Sequence, residues 1–381
     1  MDTKLSPTYQ KQFGKFWVLW FSYSNVYSVV DNDFKSVLDL YLASKSLAAF
    51  KGNLENTYSS NQQASIANNL SLYLRNCNIK ADIEHLESLH KFNPTQRQIL
   101  KHYRAGTNTF SIYFGSESIK NIIHPQIAHL ETTLKHKSTT IFDVYLKDDE
   151  LVLFKNQILL KAAKKQNFHF IQGKFFMHLL CLVHQKKETD WIGTFHGSAI
   201  SDGHNAILCV GKSGKGKSTL CTLMAQKGFT IVADDVSPIL SKDRHIYSNP
   251  SATSIKHGAF KALKAYVPNL ENLTTTTLNA SKGAIKYIPP TITNPSSYPC
   301  KAIVMVNYKE GSTTQLKKVS IKKVMETLIP DSWISHNETH AEQLLNWLST
   351  LTFYELTYSD TESVTTKIKS LFADLKNHQI N

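Results

Sequence analysis

The sequence predicts an α/β protein, a mixed sheet with helices, preceded by a small α+β module of winged-helix type. Three observations carry that prediction. A glycine-rich loop, Gly211-Lys212-Ser213-Gly214-Lys215-Gly216-Lys217-Ser218, lies between the apolar run Ala206-Ile207-Leu208-Cys209-Val210 and a helical pattern of Leu220, Leu223 and Met224. Strand-like and helix-like runs alternate on both sides of that loop. Ahead of them, a strand hairpin is followed by three short amphipathic helices.

The N-terminal module spans residues 1–80. Its opening residues, Met1 to Pro7, lack the charged-then-apolar pattern of a secretory signal. Phe16 to Phe21 and Asn25 to Val30 read as the hairpin strands, and Asp31-Asn32-Asp33 supplies a cap for a helix carrying Val37, Leu38, Tyr41 and Leu42. A second helix fits Ser46 to Leu54, and a third shows Ile66, Leu70, Tyr73 and Leu74 on one face. Residues 81–109 turn polar and read as a helical connector, with Asn93-Pro94-Thr95 starting a helix toward Ile99 and Tyr103.

From residue 110 to residue 381 the pattern is that of one large domain. Phe110 to Phe114, Thr140 to Tyr145, Leu151 to Phe154 and Gln157 to Leu160 read as strands of the same sheet as the glycine-rich loop, and Phe175 to His184 as a buried helix. After the loop, a helix stops at Gly228, and Phe229 to Ala233 forms a strand ending in Asp234-Asp235. His245 to Pro250, Ala284 to Tyr287, Ala302 to Val306 and Phe353 to Tyr358 are further strands. Leu270 to Thr277 reads as a loop, and Thr339 to Leu351 and Ser363 to Leu375 as helices.

The loop fits GxxxxGK[ST] at every specified position, in the strand-loop-helix context the pattern requires. Its glycines let backbone N–H groups point inward, where the helix N-terminus adds partial positive charge, so the backbone itself binds an anion. Lys217 then reaches β- and γ-phosphates, and Ser218, followed by Thr219, offers a hydroxyl to Mg²⁺. Lys212 and Lys215 are either further phosphate contacts or solvated lysines. Two carboxylates at the end of the neighbouring strand allow two tasks, one at the metal and one as proton acceptor.

Composition limits the alternatives. No apolar run reaches the ~18 residues of a membrane span. Five cysteines without a CxxC pair fit reduced core thiols and a cytoplasmic setting. The sixteen histidines form no zinc pattern; His124 with His129 and His336 with His340 lack the necessary company. A formal charge of +13 favours an acidic partner, but the basic clusters lack interleaved aromatics, so no nucleic acid is expected.

The runs Thr194-Phe195-His196-Gly197-Ser198-Ala199, the loop, Lys227-Gly228-Phe229 and Val232-Ala233-Asp234-Asp235 resemble the catalytic domain of HPr kinase/phosphorylase and related bacterial P-loop serine kinases, densely over residues 194–238. Phosphoenolpyruvate carboxykinase is a more distant likeness through its loop and Asp pair. The resemblance implies ATP and Mg²⁺, transfer to a serine or threonine hydroxyl, Asp234 as catalytic base, His196 as its helper, and Asp235 with Ser218 at the metal. The family's glycine-rich signature after the Asp pair is missing from Ala280 to Pro290, which leaves HPr as acceptor, and the reverse phosphorolysis, unsupported. The N-terminal pattern is similar to PqqD-like domains, which implies a peptide or small-protein acceptor, such as a precursor with a leader segment. A homo-oligomer is compatible with the sequence. The competing reading is a P-loop ATPase or nucleotide-dependent switch with no phosphorylated acceptor.

Overall fold

Side chains alternate across the strand Phe16–Phe21, and that alternation joins two parts of the molecule. In the computed structural model, which describes residues 3–80, 90–133, 139–277, 283–291 and 296–377, Leu19 and Phe21 enter a core with Leu38, Phe50, Leu70 and Leu74. Val18, on the opposite face, enters the core of the central sheet with Leu344 and Leu345. The strand is the middle of an antiparallel meander, Tyr9–Phe13, Phe16–Phe21 and Val26–Asp31. The expected hairpin is present, and Tyr9–Phe13 adds a third strand.

Three helices follow at the expected places. Asn32–Ala43 is capped by the Asp31 carboxylate, which accepts from the Phe34 amide at 2.8 Å, and Leu47–Gly52 by Ser46. Ser60–Cys77 begins with a capping box between Ser59 and Gln62. Asn25 donates to the Ile334 carbonyl at 3.0 Å, and Tyr9 and Lys11 donate to the Asn346 side chain, so polar contacts fix the module beside the central sheet.

Among its described residues, the expected helical connector forms no α-helix. Of the expected stretch, residues 81–89 lie outside the described residues; Asn93 caps only a single turn, Pro94–Gln96, and Ile99–Ala105 is a strand. Ile99 and Tyr103 are four apart, a spacing that satisfies the strand period as well as the helical one, and Gly106, at φ +61°, turns the chain into the next strand. The boundary expected at residue 110 therefore falls inside the hairpin of Ile99–Ala105 with Asn108–Phe114.

A second correction concerns the sheet. The strands from Phe110 onward do not join the one carrying the glycine-rich loop; they form a separate five-stranded sheet, in the order Ile99–Ala105, Asn108–Phe114, Thr140–Lys147, Glu150–Lys155, Ile158–Lys164. The helices Glu117–Ile127 and Phe168–His184 cover it, with Phe110, Ile112, Ile123, Phe142 and Phe175 in a core of its own. Local periodicity marks strands but carries no record of which sheet they enter.

The central sheet is mixed and has ten strands. Ala206–Val210 and Thr352–Tyr358 run parallel to Ser297–Tyr308 on its two sides. Ser198–Ser201 lies antiparallel to Ala206–Val210, and Thr230–Ala233 lies beyond it. Through its first residues Ser297–Tyr308 also pairs with His245–Tyr247, leading to Val236–Leu240 and Trp191–His196. Alternation sorts neighbours into two cores: Leu208, Val210 and Ile303 pack beneath Ile321–Leu328 and Glu338–Ser349, while Ile207, Cys209 and Val304 pack beneath Lys217–Ala225 and Thr361–Asn377. A fourth, three-stranded sheet joins Thr253–Lys256, the expected strand Ala284–Ile288, and Thr275–Thr277, which lies within the stretch expected as loop.

The protein is thus a mixed α/β structure with ten α-helices among the described residues. Among these residues no helix is long and apolar enough to cross a membrane.

One ion pair tests how the five-stranded sheet is held. The Asp143 carboxylate is fully buried and accepts two bonds from Arg97, at 2.6 and 3.0 Å, while the guanidinium stacks on Tyr113 and Phe92. Removing one partner leaves an uncompensated buried charge, which costs about 3–5 kcal/mol. Arg97→Ala should lower the urea midpoint accordingly, and adding Asp143→Leu should recover much of the loss; a single variant as stable as the parent would show that the pair holds nothing.

Candidate functional site

The loop Gly211 to Gly216 leaves the strand Ala206–Val210 and enters the helix Lys217–Ala225. Gly211, Gly214 and Gly216 all have positive φ, at +145°, +81° and +90°. Two of them are also required by close approach: a Cβ on Gly211 would stand 2.8 Å from the Val306 carbonyl oxygen, and one on Gly216 2.9 Å from the Tyr358 hydroxyl. Tyr358 donates to the Gly216 carbonyl and Tyr308 to that of Lys215, so the neighbouring strands brace the loop from behind.

The amide hydrogens face the other way. Among the described residues, the amides of Ser213, Gly214, Gly216, Lys217 and Ser218 have no acceptor within the chain. They open a run of donors at the start of a helix, whose dipole adds to their positive potential. Lys217 is buried, at 8% exposure, and its ammonium donates to the Gly211 carbonyl at 2.5 Å. Burial lowers its pKa, while the charges of Asp235 and Asp234 act in the opposite direction. Lys212 and Lys215 are exposed, Ser213 lies at the loop's outer side, and Thr219 is half-buried in the first helical turn.

Asp234 and Asp235 sit where two strand pairs change partners. Trp191–His196 and Ser198–Ser201 are one continuous run broken at Gly197, and Thr230–Ala233 and Val236–Leu240 another broken at the two carboxylates. The two breaks lie side by side: the Gly197 amide donates to the Asp235 carbonyl, and Ser237 donates its hydroxyl to the Gly197 carbonyl at 3.0 Å. A Cβ at Gly197 would stand 2.8 Å from the Cys209 carbonyl oxygen. Asp235 takes a left-handed conformation, φ +63°, which Asp tolerates better than most residues. This reversal sends the two carboxylates in opposite directions.

Asp234 points inward. Its Oδ1 accepts the Ser198 hydroxyl at 2.5 Å and the Ser218 hydroxyl at 2.8 Å, and its Oδ2 accepts the Ser254 amide at 3.1 Å. Burial raises the carboxyl pKa; the serine and amide donors oppose that rise. Asn249 holds the turn, donating to the Val236 carbonyl at 2.9 Å. Asp235 points outward and is exposed; its Oδ1 lies 3.3 Å from His196 Nδ1. Ser332 accepts the His196 amide, and Tyr287 stands near enough to feel the Asp235 charge, its phenol pushed up to about 12 mainly by burial.

The fold therefore brings together His196, Lys217, Ser218, Asp234 and Asp235, as the sequence suggested, but pairs the carboxylates the other way. Ser218 meets Asp234 rather than Asp235, and the exposed carboxylate beside His196 is Asp235 rather than Asp234. Sequence reasoning passed over Ser198, Asn249 and Ser254. Ser198 stood within the quoted His-Gly-Ser run and carried a signal; Ser254 acts through its backbone and carried none.

Oxygen donors suit a hard divalent cation, and a hydroxyl that gives its proton to Asp234 keeps its lone pairs for one. Among the described residues no group of three or more His, Cys, Asp or Glu side chains is arranged to hold a metal. Compared with protein-family models and with curated proteins, the chain matches none.

Gly216→Ala tests the loop geometry. The substitution imposes a strained conformation and a contact with Tyr358, together worth about 1–3 kcal/mol. The expected result is a loss of roughly tenfold in affinity for pyrophosphate by calorimetry, with the circular dichroism of the sheet unchanged. Unaltered affinity would mean that the loop does not hold the anion.

Proposed function

We propose that the chain is an ATP-dependent phosphotransferase of the P-loop serine kinase kind, which moves a γ-phosphoryl group to a serine or threonine hydroxyl of a peptide or small protein. The observation that carries this reading is the loop of unpartnered amides and Lys217 next to an exposed carboxylate held by histidine. The amides of Ser213, Gly214, Gly216, Lys217 and Ser218 bind phosphate oxygens, and Lys217 leaves the Gly211 carbonyl for the β- and γ-phosphates. When bound with the nucleotide, Mg²⁺ offsets phosphate charge; Ser218 and the Asp234 side of the site would hold it.

Asp235 then accepts the proton of the attacking hydroxyl, with His196 fixing its orientation. Most of the catalysis in such transfers comes from placement and charge, which the braced loop supplies in advance. Asp234 acts one layer behind, aligning Ser218 and the strand of Ser254. This division exchanges the roles that the family resemblance assigns to the two carboxylates.

The acceptor is proposed from the N-terminal module. Val26–Asp31 pairs on one side only among the described residues, and an extended peptide adds to such an edge through main-chain hydrogen bonds. A winged-helix or PqqD-like reading of this module rests on its strands followed by three helices, and a leader-bearing precursor as partner rests on that reading. The charge of +13 suits an acidic peptide. A cytoplasmic setting is supported by five free thiols, four of them buried.

The two carboxylates separate in the test. With labelled ATP, Mg²⁺ and peptides encoded beside the gene, Asp235→Asn should slow phosphate transfer by roughly 10²-fold or more, yet leave Mg-ATP affinity within about threefold. Asp234→Asn sets an amide N–H against the Ser254 amide or the serine hydroxyls, a conflict of about 1–3 kcal/mol, and should weaken Mg-ATP binding itself. Normal transfer by Asp235→Asn would place the proton acceptor elsewhere, and free phosphate without a modified peptide would favour an ATPase.

A further inference from the structure

A second lysine reaches the loop from outside it. Lys256 ends the strand Thr253–Lys256, whose direction is fixed by antiparallel pairing with Ala284–Ile288. Thr253 and Ile255 are buried; Ser254 and Lys256 therefore share the opposite face. Two residues apart, they meet the two halves of the site: the Ser254 amide donates to Asp234, and the Lys256 ammonium donates to the Ser213 hydroxyl at 2.7 Å.

The Lys256 contact is an unequal one. Its side chain is exposed, and among the described residues the ammonium has no carboxylate within 4.0 Å; it donates to a neutral hydroxyl. Ser213 is also one of the residues whose amide has no acceptor in the chain. The lysine is thus held at the loop's outer side, across from Lys217, by a bond that a phosphate oxygen would replace with a stronger, charge-assisted one. It sits close enough for its charge to disfavour the charged form of Lys217, so an anion between the two relieves a repulsion.

We propose that Lys256 binds the terminal phosphoryl group and makes the site read the γ-phosphate, an assignment that rests on the phosphotransferase reading above. On nucleotide binding the ammonium exchanges the Ser213 hydroxyl for a γ-phosphate oxygen. As the acceptor oxygen bonds to the γ-phosphorus, the bond from that phosphorus to the β–γ bridging oxygen breaks, the acceptor's proton passes to the Asp235 carboxylate, and ADP leaves. Lys256 stays with the transferred group and Lys217 with the departing β-phosphate, so each fragment keeps a cation throughout.

The prediction separates this role from a structural one, because it concerns the difference between two nucleotides. Lys256→Met keeps the stem of an exposed side chain. It should lower the affinity for Mg-AMP-PNP about tenfold, leave that for Mg-ADP within about twofold, and slow transfer, while Lys256→Arg should recover most of the discrimination. Equal losses for both nucleotides, or no loss for either, would overturn the assignment while leaving the phosphotransferase reading in place. Failure of the parent protein to bind either nucleotide would overturn both.

Discussion

The buried carboxylate of Asp234 is the interaction on which the site depends. It gathers donors from three separated segments: Ser198 from one strand, Ser218 from the helix after the loop, and Ser254 from the strand Thr253–Lys256. A carboxylate taken out of water is costly unless its lone pairs are used, and here three bonds use them. The arrangement also has a direction. Two hydroxyl donors share one oxygen, so the Ser218 hydroxyl has a fixed orientation before any ligand arrives, and the strand that carries Lys256 is anchored to the same group.

The carboxylate stands at a seam in the central sheet. At Gly197 and at Asp234-Asp235 two adjacent chains leave one set of partners for another, and open α/β sheets place their ligand crevices where strand order diverges in this way. The helical segments that follow and cover the five-stranded sheet support the seam from a distance. The Gln126 carbonyl accepts the Ala252 amide at 2.8 Å, His184 contacts the Ser248 carbonyl at 2.8 Å, and His129 contacts that of Pro250 at 3.1 Å. These grip the segment from Ser248 to Ala252, which contains Asn249 and leads to Ser254. Burial lowers the pKa of both histidines, which favours their neutral form beside these carbonyls.

What was legible in the sequence was whatever had to be encoded by residue identity. Gly211 and Gly216 are fixed by backbone angle and by contact with Val306 and Tyr358, so the loop is readable without the fold. The caps at Asp31, Ser46 and Ser59 are likewise chemical, and the three helices after them stand where those residues place them. Sheet membership was not readable: Phe110 and Val304 look alike as β-branched or aromatic strand residues, yet enter different cores. The orientation of two adjacent carboxylates was equally hidden, because it turns on the positive φ of Asp235, and the Ser254 amide leaves no trace in composition.

Among the described residues, the loop amides stand together without acceptors before any ligand is present, and the proposed phosphotransferase requires that they take a nucleotide. Titration of the full-length protein with ATP by isothermal calorimetry, in the presence and absence of Mg²⁺, addresses it most directly. The proposed function predicts saturable binding with one nucleotide per chain, strengthened by Mg²⁺ and displaced by pyrophosphate. Absence of binding at millimolar ATP, or binding indifferent both to Mg²⁺ and to pyrophosphate, would contradict it.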